Sequence, residues 1–214
     1  MRHILCHRFF QSVLLLTLGL PQLMAGEPSL KDILITARHQ FFDANYEASL
    51  ATFDKALALD PTNLEAQLGK MDSLGALRKP TDSLAKSVSN KQTTPNDALI
   101  LGANEKIWKR DFDGALSDLK QAISKDPKAY MAYFLAAFLE RRTRKFEDAL
   151  THLNKAYELA PEFPETSYLL GDVYLAKGET DQALRAFQRY LEMVPSKGKR
   201  YDSVSATIRR IGGR

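Results

Sequence analysis

The sequence predicts an all-α chain: an α-solenoid of about five stacked helix hairpins, followed by a C-terminal capping helix. Two observations carry this prediction. Four stretches, YEASLATFDKALALDP (46–61), FDGALSDLKQAISKDP (112–127), FEDALTHLNKAYELAP (146–161) and TDQALRAFQRYLEMVP (180–195), share a helical rhythm and a terminal proline. Their prolines lie 34 residues apart from Pro127 to Pro161 and from Pro161 to Pro195, and 66 apart from Pro61 to Pro127, two short of a double period.

The first residues are set aside from the fold. MRHILCHRFFQSVLLLTLGLPQLMAGEPS has a basic start (Arg2, Arg8), an apolar run from Ser12 to Leu20, and Leu23-Met24-Ala25 as a cleavage site. The run is far shorter than the ~20 residues that cross a bilayer as a helix. A signal peptide over 1–26 is therefore expected, with an uncleaved inner-membrane anchor as the alternative. Cys6 is the only cysteine and does not follow a small-residue cleavage triplet, so it does not read as a lipid-attachment site. The mature chain would carry no thiol, which excludes disulfides, Cys-ligated zinc and thiol chemistry. No Asn-x-Ser/Thr acceptor occurs, and a periplasmic or secreted protein of the bacterial envelope is the simplest expectation.

Each terminal proline stops a helix, because it lacks an amide donor and clashes with the preceding turn. Within 146–161, Phe146, Leu150, Leu153 and Tyr157 fall three or four apart, with Ala149 and Ala156 in the same stripe. That stripe is a core face, and its small alanines let helix backbones approach closely. A second helix precedes each such run, as in AYMAYFLAAFLERR (129–142) and PETSYLLGDVYLAKG (164–178). Short polar turns such as Thr143-Arg144-Lys145 or Gly178-Glu179 suffice to reverse direction between them. One hairpin cannot bury both its faces, so the units must stack.

With these residues in hand the chain resembles the tetratricopeptide repeat family. The last repeat carries Leu170, Gly171, Tyr174, Gly178, Ala183, Phe187 and Pro195; the one before it carries Ala136, Ala137, Phe146, Ala149, Ala156 and Pro161. The third offers Gly102, Ala103, Phe112, Ala115, Ala122 and Pro127, and the first Ala37, Tyr46, Phe53, Ala56 and Pro61. The resemblance implies a right-handed superhelix over 27–195, with repeats at about 30–63, 64–95, 96–129, 130–163 and 164–195. Ser49 and Tyr190 stand where the family prefers Ala, which predicts slightly looser or altered packing at both points. The second repeat is the irregular one: LEAQLGKMDSLGALRK makes a first helix, but PTDSLAKSVSNKQTTP is polar, lacks an aromatic, and predicts a stubby helix over 81–89 followed by a loop.

The segment 196–214 predicts a basic capping helix and tail, with Tyr201, Val204, Ile208 and Ile211 on one face. Lys197, Lys199, Arg200, Arg209, Arg210 and Arg214 against Asp202 give it a charge of +5, read as a solvated surface or as weak attraction to an anionic membrane. The whole chain carries +4, and loss of Arg2 and Arg8 with the signal leaves +2. So balanced a surface excludes a nucleic-acid electrostatic footprint.

No reaction is assembled by the remaining residues. After the signal only His39 and His152 remain, on different repeats, without a carboxylate or hydroxyl at triad or metal spacing. Glu140, Glu147, Asp148 and Glu158 read as ordinary polar faces. No phosphate-cradling glycine motif exists. Neither catalysis nor any cofactor or metal is expected.

Binding is the remaining use, since stacked hairpins present a long concave surface. The resemblance implies that the first helix of each pair lines it. Carried over, those positions are Leu34, Arg38 and Phe41; Leu68 and Asp72; Ile100, Asn104 and Trp108; Met131, Phe134, Phe138 and Arg141; and Tyr168, Asp172 and Leu175. A protein or peptide segment is the expected partner, anchored on aromatics and Arg. The Lys and Asn by which chaperone-binding members grip a C-terminal carboxylate are not reproduced by Leu34 and Arg38 or by Ile100 and Asn104. A structural module that self-associates head to tail is the alternative.

Overall fold

The computed structural model describes residues 28–80 and 94–212. The proposed signal at 1–26 and the predicted stub at 81–89 lie outside the described residues. Among the described residues there are ten helices and no strand: α1 (Leu30–Phe42), α2 (Tyr46–Leu59), α3 (Leu64–Ala76), α4 (Pro95–Trp108), α5 (Phe112–Lys125), α6 (Tyr130–Arg142), α7 (Phe146–Leu159), α8 (Pro164–Lys177), α9 (Thr180–Met193) and α10 (Lys199–Gly212).

The boundaries follow from local chemistry. Ser29 caps α1 in a capping box with Asp32, and Thr94 caps α4 ahead of Pro95. α2, α5, α7 and α9 each end two residues before their proline, at Leu59, Lys125, Leu159 and Met193. The residue before each proline, Asp60, Asp126, Ala160 or Val194, has left the helical region, as the proline ring requires of its neighbour. The turns inside the hairpins use a left-handed residue, at Ala44, Arg110, Arg144 and Gly178, and Arg78 takes the same conformation after α3. Only Gly178 takes that conformation without steric cost.

α1–α2, α4–α5, α6–α7 and α8–α9 pair as hairpins, and α2 on α3, α5 on α6 and α7 on α8 join one repeat to the next. Interlocking of aromatics with glycines fixes the spacing at two of these crossings. A Cβ on Gly69 would lie 2.1 Å from the Phe53 ring, and one on Gly171 would lie 2.6 Å from the Phe187 ring. Both rings are buried, so the missing Cβ is the slot that receives them.

At both departures from the family pattern the packing is altered and not loosened. Ser49 is fully buried and its hydroxyl donates to the Ala37 carbonyl (2.9 Å) while sharing a hydrogen bond with Ser73 (3.1 Å). Tyr190 is buried against Tyr168, rings 5.5 Å apart, and joins Phe187, Val204 and Ile211 in the core that α10 closes. Polarity in the first case and bulk in the second are absorbed by a partner that the motif does not include. The capping helix presents the predicted face, with Val204 and Ile211 buried and Ile208 packed beside them.

Candidate functional site

The hollow is built from α1, α3, α4, α6 and α8, whose inward faces surround a cavity of about 620 Å³. That size falls in the ~300–1,000 Å³ range of pockets that bury a small molecule or a few anchoring side chains. Nine aromatic residues line it, Phe41, Phe42, Phe53, Trp108, Phe112, Phe134, Phe138, Phe163 and Tyr168, interspersed with Arg and carboxylate groups.

Most of the positions inferred by repeat spacing meet here: Arg38, Phe41, Leu68, Asp72, Asn104, Trp108, Met131, Phe134, Phe138, Arg141, Tyr168 and Asp172 all line the cavity. Trp108 is exposed, and Phe134, Phe138, Arg141, Tyr168 and Asp172 are half-buried. Leu68, Asn104 and Met131 are nearly covered and form the wall behind them. Three positions are corrected. Ile100 is fully buried among Leu68, Met71 and Leu101, where neighbouring repeats already occupy its side chain. Leu34 is buried with Ala37 and Phe53, and Leu175 is drawn toward the core under α10.

The ends of the solenoid meet across the hollow, a closure that the repeat pattern does not announce. His39 Nε2 lies 2.5 Å from the Lys197 carbonyl, and the Lys199 backbone N–H donates to Asp43 Oδ1 at 2.7 Å. Gly198 sits between them with φ +110, and a Cβ there would come within 2.6 Å of His39 Nε2 and 2.7 Å of Asp43 Oδ2. Arg200 of the cap stacks on Phe42 and Tyr168, its guanidinium carbon 3.2 and 4.2 Å from the ring centroids. The cap is therefore not simply a solvated basic surface: Arg200 bridges the first and fifth repeats.

Lower in the hollow Arg38 forms an ion pair with Glu65, approaches Glu165 to 3.6 Å and lies 5.1 Å from the Phe163 ring centroid. One guanidinium thus serves two carboxylates. Burial, with the neighbouring Glu165 charge adding to it, pushes the Glu65 carboxyl up to about 7 against the pull of Arg38. Burial also raises the Tyr130 hydroxyl, reinforced by Glu65. Elsewhere on the wall Arg141 pairs with Asp172 at 2.6 Å, and Arg142 lies over Phe112 and Phe138 at 5.0 and 5.8 Å.

Repeat reasoning missed Glu65, Glu165, Phe163 and Arg200. A signal existed for Glu165, which stands 34 residues after Met131, an inferred lining position one turn toward the helix start. For Arg200 there was none, since it lies outside the repeats. Glu140, expected on an ordinary polar face, is buried, and His152 Nδ1 lies 2.7 Å from its Oε2. The pair ties α7 to α6 away from the hollow. Among the described residues no group of three potential ligands could hold a metal, and no helix is long and apolar enough to cross a membrane.

Comparison with known proteins agrees with this architecture. Two family models described as tetratricopeptide repeat match residues 103–164 and 140–208. Anaphase-promoting complex subunit 3 of Schizosaccharomyces pombe is 30% identical over 155 residues, which are 71% of this chain and 23% of that protein. DnaJ homolog subfamily C member 3 of Bos taurus is 30% identical over 95 residues, 44% of this chain and 19% of that protein. The chain thus spans less than a quarter of the length of these curated relatives. Among solved structures, a thermophilic TPR protein of Thermus thermophilus aligns with a TM-score of 0.57 at 19% identity, over 87% of this chain and all of that one. A tetratricopeptide repeat protein from Parabacteroides merdae aligns with a TM-score of 0.58 at 16% identity, over 88% of this chain and 73% of that one. The sequence from 103 to 208 thus matches tetratricopeptide-repeat models, and the fold of the described chain is that of a tetratricopeptide-repeat solenoid.

Proposed function

We propose that this chain is a non-enzymatic scaffold that captures a segment of a partner protein in its aromatic hollow, and that it works in the bacterial envelope in assembly of an envelope or secretion complex. The observation that carries the docking reading is the convergence of Trp108, Phe134, Phe138 and Tyr168, from three different repeats, on one cavity. Aromatic and Arg side chains in a concave site are the groups that most often anchor protein partners. The fold is in general a non-catalytic interaction module, and among the described residues that line the hollow no hydroxyl or thiol nucleophile stands beside a base. The envelope location rests on the basic start and apolar run at the N-terminus.

Because the two ends meet, the hollow suits a short insert of a few anchoring side chains better than a long extended strand. Co-purification from envelope extract tests the reading. The wild-type chain is expected to retain partners that a Phe134→Ala/Phe138→Ala variant loses. Equal recovery from a folded variant would overturn docking in the hollow.

A further inference from the structure

The carboxylates of the hollow are not treated alike. Glu65 and Glu165 face Arg38, and Asp172 faces Arg141. Asp72 also lines the cavity, but among the described residues no Lys, Arg or His pairs with it. Its hydrogen bonds come instead from two neutral donors, Asn104 Nδ2 at 3.0 Å and Trp108 Nε1 at 2.9 Å. Both go to Oδ1, and no hydrogen bond among the described residues reaches Oδ2.

The arrangement is built rather than incidental. Trp108 reaches Asp72 by lying flat on Gly75, where a Cβ would come within 2.5 Å of the indole. Asn104 is almost wholly buried, so its amide has one orientation to offer. Burial holds the Asp72 carboxyl above the usual carboxylate range, in spite of the two donors that favour its charged form. A half-buried carboxylate with no counter-charge among the described residues is costly to the free protein, and a cation supplied by a guest relieves that cost.

We infer that the hollow selects a partner segment carrying a lysine or arginine side chain, whose cationic head is received by Asp72 Oδ2 while the Trp108 ring covers its aliphatic stem. This inference rests on docking in the hollow and names the chemistry of what docks. The opposite preference, for an acidic guest, is disfavoured by position. Of the five arginines that line the hollow, Arg38 and Arg141 already face carboxylates, Arg142 and Arg200 are stacked on Phe112, Phe138, Phe42 and Tyr168, and Arg110, like Arg142, is exposed to water.

The chain's single tryptophan is Trp108, so its fluorescence reads this subsite directly. The full chain is titrated with three pools of blocked pentapeptides that share randomised apolar flanks and differ at the centre: lysine, uncharged norleucine, or glutamate. The lysine pool is expected to bind about tenfold more tightly than the norleucine pool, as a partly desolvated charge pair allows. Asp72→Asn should abolish that preference, bringing the lysine pool down to the level of the norleucine pool in the same variant, while the amide keeps an oxygen for Asn104 and Trp108. Equal binding of lysine and norleucine pools, an unchanged preference in Asp72→Asn, or tighter binding of the glutamate pool would overturn the inference and leave docking standing. Failure of every pool to bind a chain with native helicity and melting would overturn docking itself.

Discussion

The junction between the first helix and the cap can be tested with two glycines of positive φ, one in open space and one wedged against α1. Gly178 and Gly198 both have positive φ, +81 and +110. A Cβ on Gly178 meets nothing within 4 Å, whereas on Gly198 it strikes His39 and Asp43. Gly178→Ala therefore incurs only the backbone term, roughly 1–2 kcal/mol for an L-residue in the left-handed region. Gly198→Ala incurs that term and also dislodges the Lys199 N–H from the Asp43 carboxylate, a charge-assisted bond of about 1.5–3 kcal/mol. The excess over Gly178→Ala is thus about 2 kcal/mol, or roughly 4–8 °C in melting temperature for a chain of this size. Thermal unfolding followed by helical circular dichroism reads the stability. Spin labels at Thr36 and Ser203, both exposed, read the separation of the ends in a Cys6→Ser background. Gly198→Ala should broaden and lengthen that distance while Gly178→Ala leaves it fixed. Equal melting of the two variants with unchanged label distances would refute closure as a contributor to the fold.

Two further outcomes follow from the packing and from the buried acid. Gly171→Ala forces a methyl against the Phe187 ring and should cost about 1–3 kcal/mol; Phe187→Leu in the same chain should recover part of it, and simple additivity in the double-mutant cycle would contradict the interlock. Glu65 binds its proton more tightly in the fold, about 7, than its ordinary 4.5, so its contribution is fully present below about 4.5 and is lost as pH rises through about 7. Glu65→Gln should therefore gain stability relative to wild type between pH 5 and pH 8, by at most about 3 kcal/mol; a difference that does not change with pH would show that the carboxyl is not held protonated by burial.

What could be read from the chain follows the range of the interactions involved. Helix ends were legible because Pro61, Pro127, Pro161 and Pro195 act within one turn of themselves, and the hairpins because alanine and aromatic positions repeat with the same partners. Much of the hollow was legible for the same reason: residues one repeat apart occupy the same face, as Asn104 and Phe138 do. Ile100 shows the limit, since its slot faces inward in the repeat pattern but neighbouring helices have already closed over it. The meeting of α1 with α10 lay beyond this reasoning. It depends on small rotations accumulating over five repeats, and on Gly198 and Arg200, which follow the last proline and belong to no period. At Ser49 and Tyr190 the departure from the motif was legible but the partner was not: each is satisfied by a residue, Ser73 or Tyr168, that the local pattern does not pair with it.

Side-chain footprinting of the chain with and without a captured partner addresses docking most directly. Oxidative labelling of Trp108, Phe134, Phe138 and Tyr168 should fall when the partner is bound, while Leu59, exposed on α2 outside the hollow, keeps its reactivity. Unchanged labelling of the four aromatics together with protection of Leu59 would place the partner on the outer surface and contradict the hollow as its docking site.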